Sequence, residues 1–187
     1  MTIIIGLLVV IVVVVVICAL ALMGIYNSLV RLRQQVKNAW AQIDVQLKRR
    51  HDLIPNLVNT VKGYAAHEKG TLDAVISARA KATSVTIPSD RIKAEGELSS
   101  ALGRLLAVSE AYPNLKANEN FTSLQNELTG TEDKIAFSRQ AYNSTVTQFN
   151  TAVQTFPAVL IANMLGFKEE PFFESPSEEK QAPTVQF

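Results

Sequence analysis

The sequence predicts an all-α protein: an N-terminal transmembrane helix followed by a long antiparallel bundle of three to four helices with coiled-coil-like packing. Three observations point there. Residues Ile3 to Tyr26 carry no charged side chain. Beyond them, large apolar residues return at intervals of seven along two long segments. Glycine and proline, the main breakers of helices, number only 8 and 7 among 187 residues.

The uncharged run comes first in the chain. As a helix, its 24 residues rise about 36 Å, enough to cross a hydrocarbon core of about 30 Å with some tilt. A basic collar follows from Arg31 to Arg50, where six basic residues face one acid, Asp44, for a net of +5. No Lys or Arg precedes the run, so the collar is expected to stay in the cytoplasm and the N-terminus to be exported. Ala19-Leu20-Ala21 would serve as a signal-peptidase exit. A basic n-region is missing, however, and Leu22-Met23 continue the apolar run, so an anchor is favoured over a cleaved signal. Ile17, bulky and branched, precedes Cys18 and argues against a lipoprotein site. Cys18 is the single cysteine, so no internal disulfide or thiolate zinc site is suggested. The span holds no polar residue with which one copy could line a water-filled path.

Three segments are expected: an anchor over 1–26, a helical-bundle domain over 27–167 and an acidic, Pro-containing, extended or disordered tail over 168–187. In the first bundle segment Trp40, Leu47, Ile54 and Val61 form a seven-residue ladder. In the last, Phe121, Leu128, Ile135, Tyr142, Phe149 and Phe156 form another. Strict sevens imply seam packing and a gentle left-handed supercoil, so core packing is the preferred reading over a ligand groove. A shorter helix carries Leu98, Leu102, Leu105 and Tyr112. Breaks are expected at Ser84 to Pro88, with Ser89 or Asp90 as cap, and at Tyr112-Pro113-Asn114. The last helix is expected to run on through a kink at Pro157 to Leu165 and stop at Gly166.

Pro55 lies within the first ladder, which crosses it in phase, so a kink is expected there rather than a reversal. The residues around it are polar for a seam: Arg50 takes a position in the interleaved ladder of Val36, Ile43, Leu57 and Tyr64, and Asp52 and Asn56 flank the carbonyls that Pro55 frees. An Arg50–Asp52 bridge across the kink is one reading, and a solvated face at Lys48-Arg49-Arg50 is the other. No catalytic, cofactor-binding or metal-binding residue is assigned. His51-Asp52 and His67-Glu68 look like metal half-sites, but their 16-residue separation is about 24 Å along one helix. Glu119, Glu127, Glu132 and Asp133 are spread around their helix as solvating charges. There is no His-Glu-x-x-His, nucleophile elbow or phosphate-binding glycine loop. A whole-chain charge of +1 suggests no nucleic-acid partner, and the basic excess beside the span suits anionic lipid.

Several motifs together carry a family resemblance. They are Ala39-Trp40, Ile43-Asp44-Val45-Gln46-Leu47-Lys48-Arg49-Arg50, Asp52-Leu53-Ile54-Pro55-Asn56-Leu57-Val58 and Val61-Lys62-Gly63-Tyr64. Tyr112-Pro113 with Leu115-Lys116-Ala117-Asn118, Phe121 with Leu124-Gln125, Arg139 with Tyr142-Asn143, Phe149-Asn150, Phe156-Pro157 and the ending Pro183 to Phe187 extend them. The pattern resembles the LemA family over nearly everything after the anchor. That resemblance implies a bacterial membrane protein with an N-terminal anchor and an antiparallel helical domain. It supplies no reaction, cofactor or catalytic residue. The family's genes often neighbour those of other membrane proteins, including TPM-domain proteins, which favours a scaffold or adaptor role.

The expected function is therefore a non-enzymatic scaffold at the cytoplasmic face of a bacterial inner membrane, with the bilayer, other membrane proteins and further copies of itself as partners. The alternative is an accessory or regulatory subunit of a membrane protease or transporter; a hydrolase would need a concave polar site that the sequence does not reveal. In the tail, Val185 and Phe187 alternate with Thr184 and Gln186, a period of two that suits a strand added to a partner's sheet edge. A frayed terminus is the simpler reading.

Overall fold

A computed structural model of the chain describes residues 1–65 and 67–173. The described residues hold six helices and no strand. Helix α1 spans Thr2–Tyr64 without a break, 63 residues and so about 95 Å of axis. It runs through Pro55, as the in-phase ladder requires. The remaining helices are α2 (Lys69–Ser84), α3 (Pro88–Ser109), α4 (Pro113–Lys116), α5 (Glu119–Gln154) and α6 (Val159–Ala162).

Local chemistry explains the ends, and corrects three of the expected ones. Neither Ser89 nor Asp90 caps α3; Ile87 sits at the cap in extended geometry and Pro88 opens the helix. Proline suits that position because its missing N–H has no partner to lose there. The first break expected from the sequence is at Ser84 to Pro88, but α1 already stops at Tyr64 and α2 begins at Lys69. The third correction is at the far end, where α5 stops at Gln154 and does not continue to Leu165. Pro157, joined to Phe156 by a cis peptide, offers no N–H to the preceding turn, and its ring crowds the carbonyl behind it. Phe156 therefore leaves the ladder and is 74% exposed. Between α4 and α5, the Asn118 side-chain oxygen accepts the Phe121 N–H at 3.0 Å, an N-cap bond.

The chain forms two compact units. The first joins Met1–Ala39 to Ser144–Glu170. Its apolar N-terminal run is exposed on every side, and none of its most apolar 18-residue window is buried in the protein. Farther along, Leu29, Val36, Val146, Phe149, Val153, Ala162 and Phe167 are buried. Asn150 straps the returning chain by a reciprocal pair: its Nδ2 donates to the Glu170 carbonyl at 2.9 Å and its Oδ1 accepts the Glu170 N–H at 2.9 Å.

The second unit joins Trp40–Asn143 to the described residues from Pro171. Here α1, α2, α3 and α5 share one core, to which Ile54, Leu57, Val61, Leu72, Val75, Leu98, Leu102, Leu105, Phe121 and Leu128 contribute. Leu47, Ile135 and Tyr142 are buried as well, and Trp40 is half-buried against Tyr142 with ring centres 5.4 Å apart. Asn143 repeats the reciprocal device, bonding both the N–H (2.8 Å) and the carbonyl (3.0 Å) of Phe173. Tyr142 Oη donates to the Pro171 carbonyl at 2.9 Å. Phe173 is buried beside Trp40, under the Arg139 guanidinium. Lys168 to Phe173 lies outside any helix and is held down within its units by these side-chain bonds. Backbone outside a helix has free donors and acceptors, and a carboxamide supplies one of each. Val185 and Phe187 lie outside the described residues.

Candidate functional site

A centre of buried charge lies in the second unit, built from α1, α3 and α5. Arg50, at a ladder position of α1, is 1% exposed, and Glu95 of α3 is 2% exposed. One Arg50 terminal nitrogen pairs with a carboxylate oxygen of Glu95. The other donates to Glu132 Oε1 at 2.8 Å and to Ser99 Oγ at 2.8 Å. Glu132, on α5, keeps 38% of its side chain in contact with solvent. His51, also buried, places Nε2 3.1 Å from Oε1 and 3.2 Å from Oε2 of Glu95, with hydrogen-bond geometry toward the latter. Arg91 adds a partly exposed cation that pairs with Asp44 of α1.

Burial by itself raises the Glu95 carboxyl. The His51 hydrogen bond and the charge of Arg50 outweigh it, so the group titrates below the usual carboxylate range. Glu95 therefore stays ionised and accepting. A general acid needs the opposite shift, and a general base needs a lone pair facing a substrate, whereas these lone pairs face Arg50 and His51. The chemistry of this arrangement is that of a clamp: a planar fork binds carboxylates from two other helices and fixes the register of three helices.

The proline is resolved by the same unit. Pro55 leaves the His51 carbonyl without its helical donor. Arg79 of α2 supplies one, its Nε donating to that oxygen at 2.8 Å. The expected Arg50–Asp52 bridge does not form, and the solvated-face reading fails for Arg50 too: Asp52 and Asn56 are exposed, and Arg50 turns to α3 and α5. Asp52 and Arg50 are two residues apart and so lie on different sides of a helix. Sequence reasoning missed Glu95 and Arg79, weighed His51 only as a metal half-site and read Glu132 as a solvating charge, whereas His51 bonds Glu95 and Glu132 pairs with Arg50. One signal was present: Glu95 lies three residues before Leu98 on the stripe that continues through Leu102 and Leu105. Among the described residues, no three His, Cys, Asp or Glu side chains gather as a metal site would require. An open groove of about 380 Å³ between α2 and α3 is edged by an exposed Lys81–Glu97 pair at 2.7 Å and does not include Arg50.

Comparison with known proteins adds a lineage. The LemA family profile matches residues 39–187. The chain is 26% identical over 154 residues to protein LemA of Metamycoplasma hominis, a match covering 82% of this chain and 70% of that one. It is 26% identical over 179 residues to magnetosome protein MamQ of Magnetospirillum gryphiswaldense, covering 81% and 66%. With magnetosome protein MamQ 2 of Paramagnetospirillum magneticum the identity is 25% over 175 residues, covering 80% and 64%. The chain thus spans roughly two thirds of the length of these relatives.

Proposed function

The chain belongs to the LemA family, and we propose that it is a membrane-anchored helical scaffold that docks partner proteins at the cytoplasmic face of a bacterial inner membrane, working as a homo-oligomer. One observation carries this reading. In the second unit the buried ionisable groups are engaged with one another, while large apolar side chains, Val45, Ile76 and Phe137, are exposed. Spent charges make a rigid bundle, and exposed apolar side chains on a rigid bundle are contact points. Phe137 on α5 is 74% exposed, the most exposed large apolar side chain among the described residues of that unit. Phe137→Ser is expected to leave the thermal midpoint within the change produced by about 0.5 kcal/mol, as for an ordinary surface site. The same substitution should deplete the chains that co-purify from detergent-solubilised membranes and lower the mass of the detergent-corrected oligomer. Unchanged mass and an unchanged partner set would overturn the docking role of this face.

Orientation is proposed from the collar. Arg31, Arg33 and Lys37 lie within 11 residues of Tyr26, where basic residues bias topology most. A phosphatase reporter that works only outside the cytoplasm, fused after Phe187, is expected to be silent, and a cytoplasmic fluorescent reporter at the same place to be bright. The reverse pair would move the bundle to the other side of the membrane.

A further inference from the structure

We propose that the segment after α5, Phe156 to Leu165, lies in the bilayer interface beside the anchor, so that the protein meets lipid through two elements. The inference rests on α1 crossing the membrane, and begins from composition. Gln154 to Phe167 contains no charged residue. A soluble protein would bury such a stretch, yet Phe156, Leu160 and Met164 are 74%, 65% and 86% exposed. Clusters of that kind mark a surface that something apolar covers.

Within the first unit, the segment is pinned at one level of α1. Phe167, two residues beyond it, is 1% exposed, makes an edge contact with Tyr26 with ring centres 5.8 Å apart and carries the Arg33 guanidinium 4.7 Å over its ring. Leu22, Met23 and Tyr26 of α1 and Ile161, Met164 and Leu165 of the segment enclose an apolar groove of about 330 Å³. Its α1 wall is the last turn of the apolar run itself. Arg31, the first charge beyond, is five residues past Tyr26, about 7.5 Å along the axis. That depth matches interfacial helices, whose apolar faces reach about 5–10 Å into the headgroup and acyl boundary. A soluble partner could cover this groove only by entering the bilayer, and lipid is the occupant its apolar lining suits.

Part of the segment's backbone is bonded internally, as the apolar side of an interface favours. Hydrocarbon tolerates peptide groups only when they are bonded internally. The N–H groups of Val159 to Ala162 find acceptors between Thr155 and Ala158, and those of Leu165, Gly166 and Phe167 bond Ile161, Asn163 and Ala162. Gly166, at φ +75°, supplies the left-handed turn that lets Phe167 fold back to the Ala162 carbonyl at 2.9 Å.

The test uses the full chain with Cys18→Ser and one introduced cysteine carrying a nitroxide, in vesicles of phosphatidylethanolamine and phosphatidylglycerol. Met164→Cys and Leu160→Cys are the probes, Ser123→Cys on exposed α5 surface is the aqueous reference, and Ile11→Cys is the reference inside the span. Oxygen concentrates in lipid, and a nickel chelate stays in water. Labels at 160 and 164 are expected to relax with oxygen and lose the chelate's effect, whereas the label at 123 responds to the chelate. Chelate access at 160 and 164 equal to that at 123, with position 11 still protected, would overturn the proposal and leave the span intact. Shielding from both reagents would also overturn it, because protein would then cover the face. Chelate access at position 11 would overturn the span and the proposal together.

Discussion

Glu95→Gln is expected to lower the unfolding free energy by about 3–5 kcal/mol, the cost of leaving one member of a buried ion pair without its partner. Arg50 stays 1% exposed with one cationic face against a neutral amide, and Glu132, partly in water, compensates only one of its two terminal nitrogens. Urea denaturation in detergent, followed by circular dichroism, measures the loss. Lys81→Ala, which breaks an exposed pair with Glu97, is the contrast and is expected to cost under about 1 kcal/mol. Arg50→Met combined with Glu95→Leu should recover most of the single-mutant loss, since apolar residues of similar volume often match a buried pair in stability. A loss from Glu95→Gln no larger than that from Lys81→Ala would show that the centre is solvated and not clamped.

Acid should act on the same group. Because the folded carboxyl titrates below its unfolded value, the unfolded state binds the proton first as pH falls. The contribution of Glu95 is therefore complete above the ordinary carboxylate range and lost as pH drops through the lowered folded value. Urea midpoints for the native chain should fall across that window more steeply than those of the Arg50→Met, Glu95→Leu protein, which lacks the group. Parallel curves would assign the acid sensitivity to other carboxylates.

What was legible in the sequence was local or periodic. The seven-residue spacing located the faces of α1 and α5, because a helical register survives Pro55 when one backbone carbonyl finds another donor. The ladder placed Arg50 on an inward face, but a single helix says nothing of a partner 45 residues away in the chain. Pairing Arg50 with Glu95 required seeing two opposite charges on two apolar stripes as one feature. The turn between Tyr64 and Lys69 was missed because its signal is weak: Gly63 and Gly70 flank it, and the described residues there include no proline. The Asn143 and Asn150 straps were quoted only as parts of motifs, and their role depends on where the chain returns after α6. The family resemblance read from these motifs agrees with the profile match over residues 39–187.

The seven-residue ladder of α5 also makes a quantitative distinction between two phenylalanines. Phe149 is fully buried in the first unit, and Phe156, seven residues on, is 74% exposed because Pro157 ends the helical register before it. Truncating a buried Phe to Ala removes its transfer energy and leaves a cavity that close-packed neighbours fill only in part, a cost of about 3–5 kcal/mol. At about 2–4 °C per kcal/mol for chains of this size, Phe149→Ala should lower the thermal midpoint by roughly 6–20 °C. Phe156→Ala and Gln148→Ala, both at exposed positions, should each stay within about 0.5 kcal/mol of the native protein in detergent. Circular dichroism melts of the three variants under one condition provide the comparison. Equal losses for Phe149→Ala and Phe156→Ala would mean that the ladder continues beyond Gln154 in solution, and that the break before Pro157 does not divide core from surface.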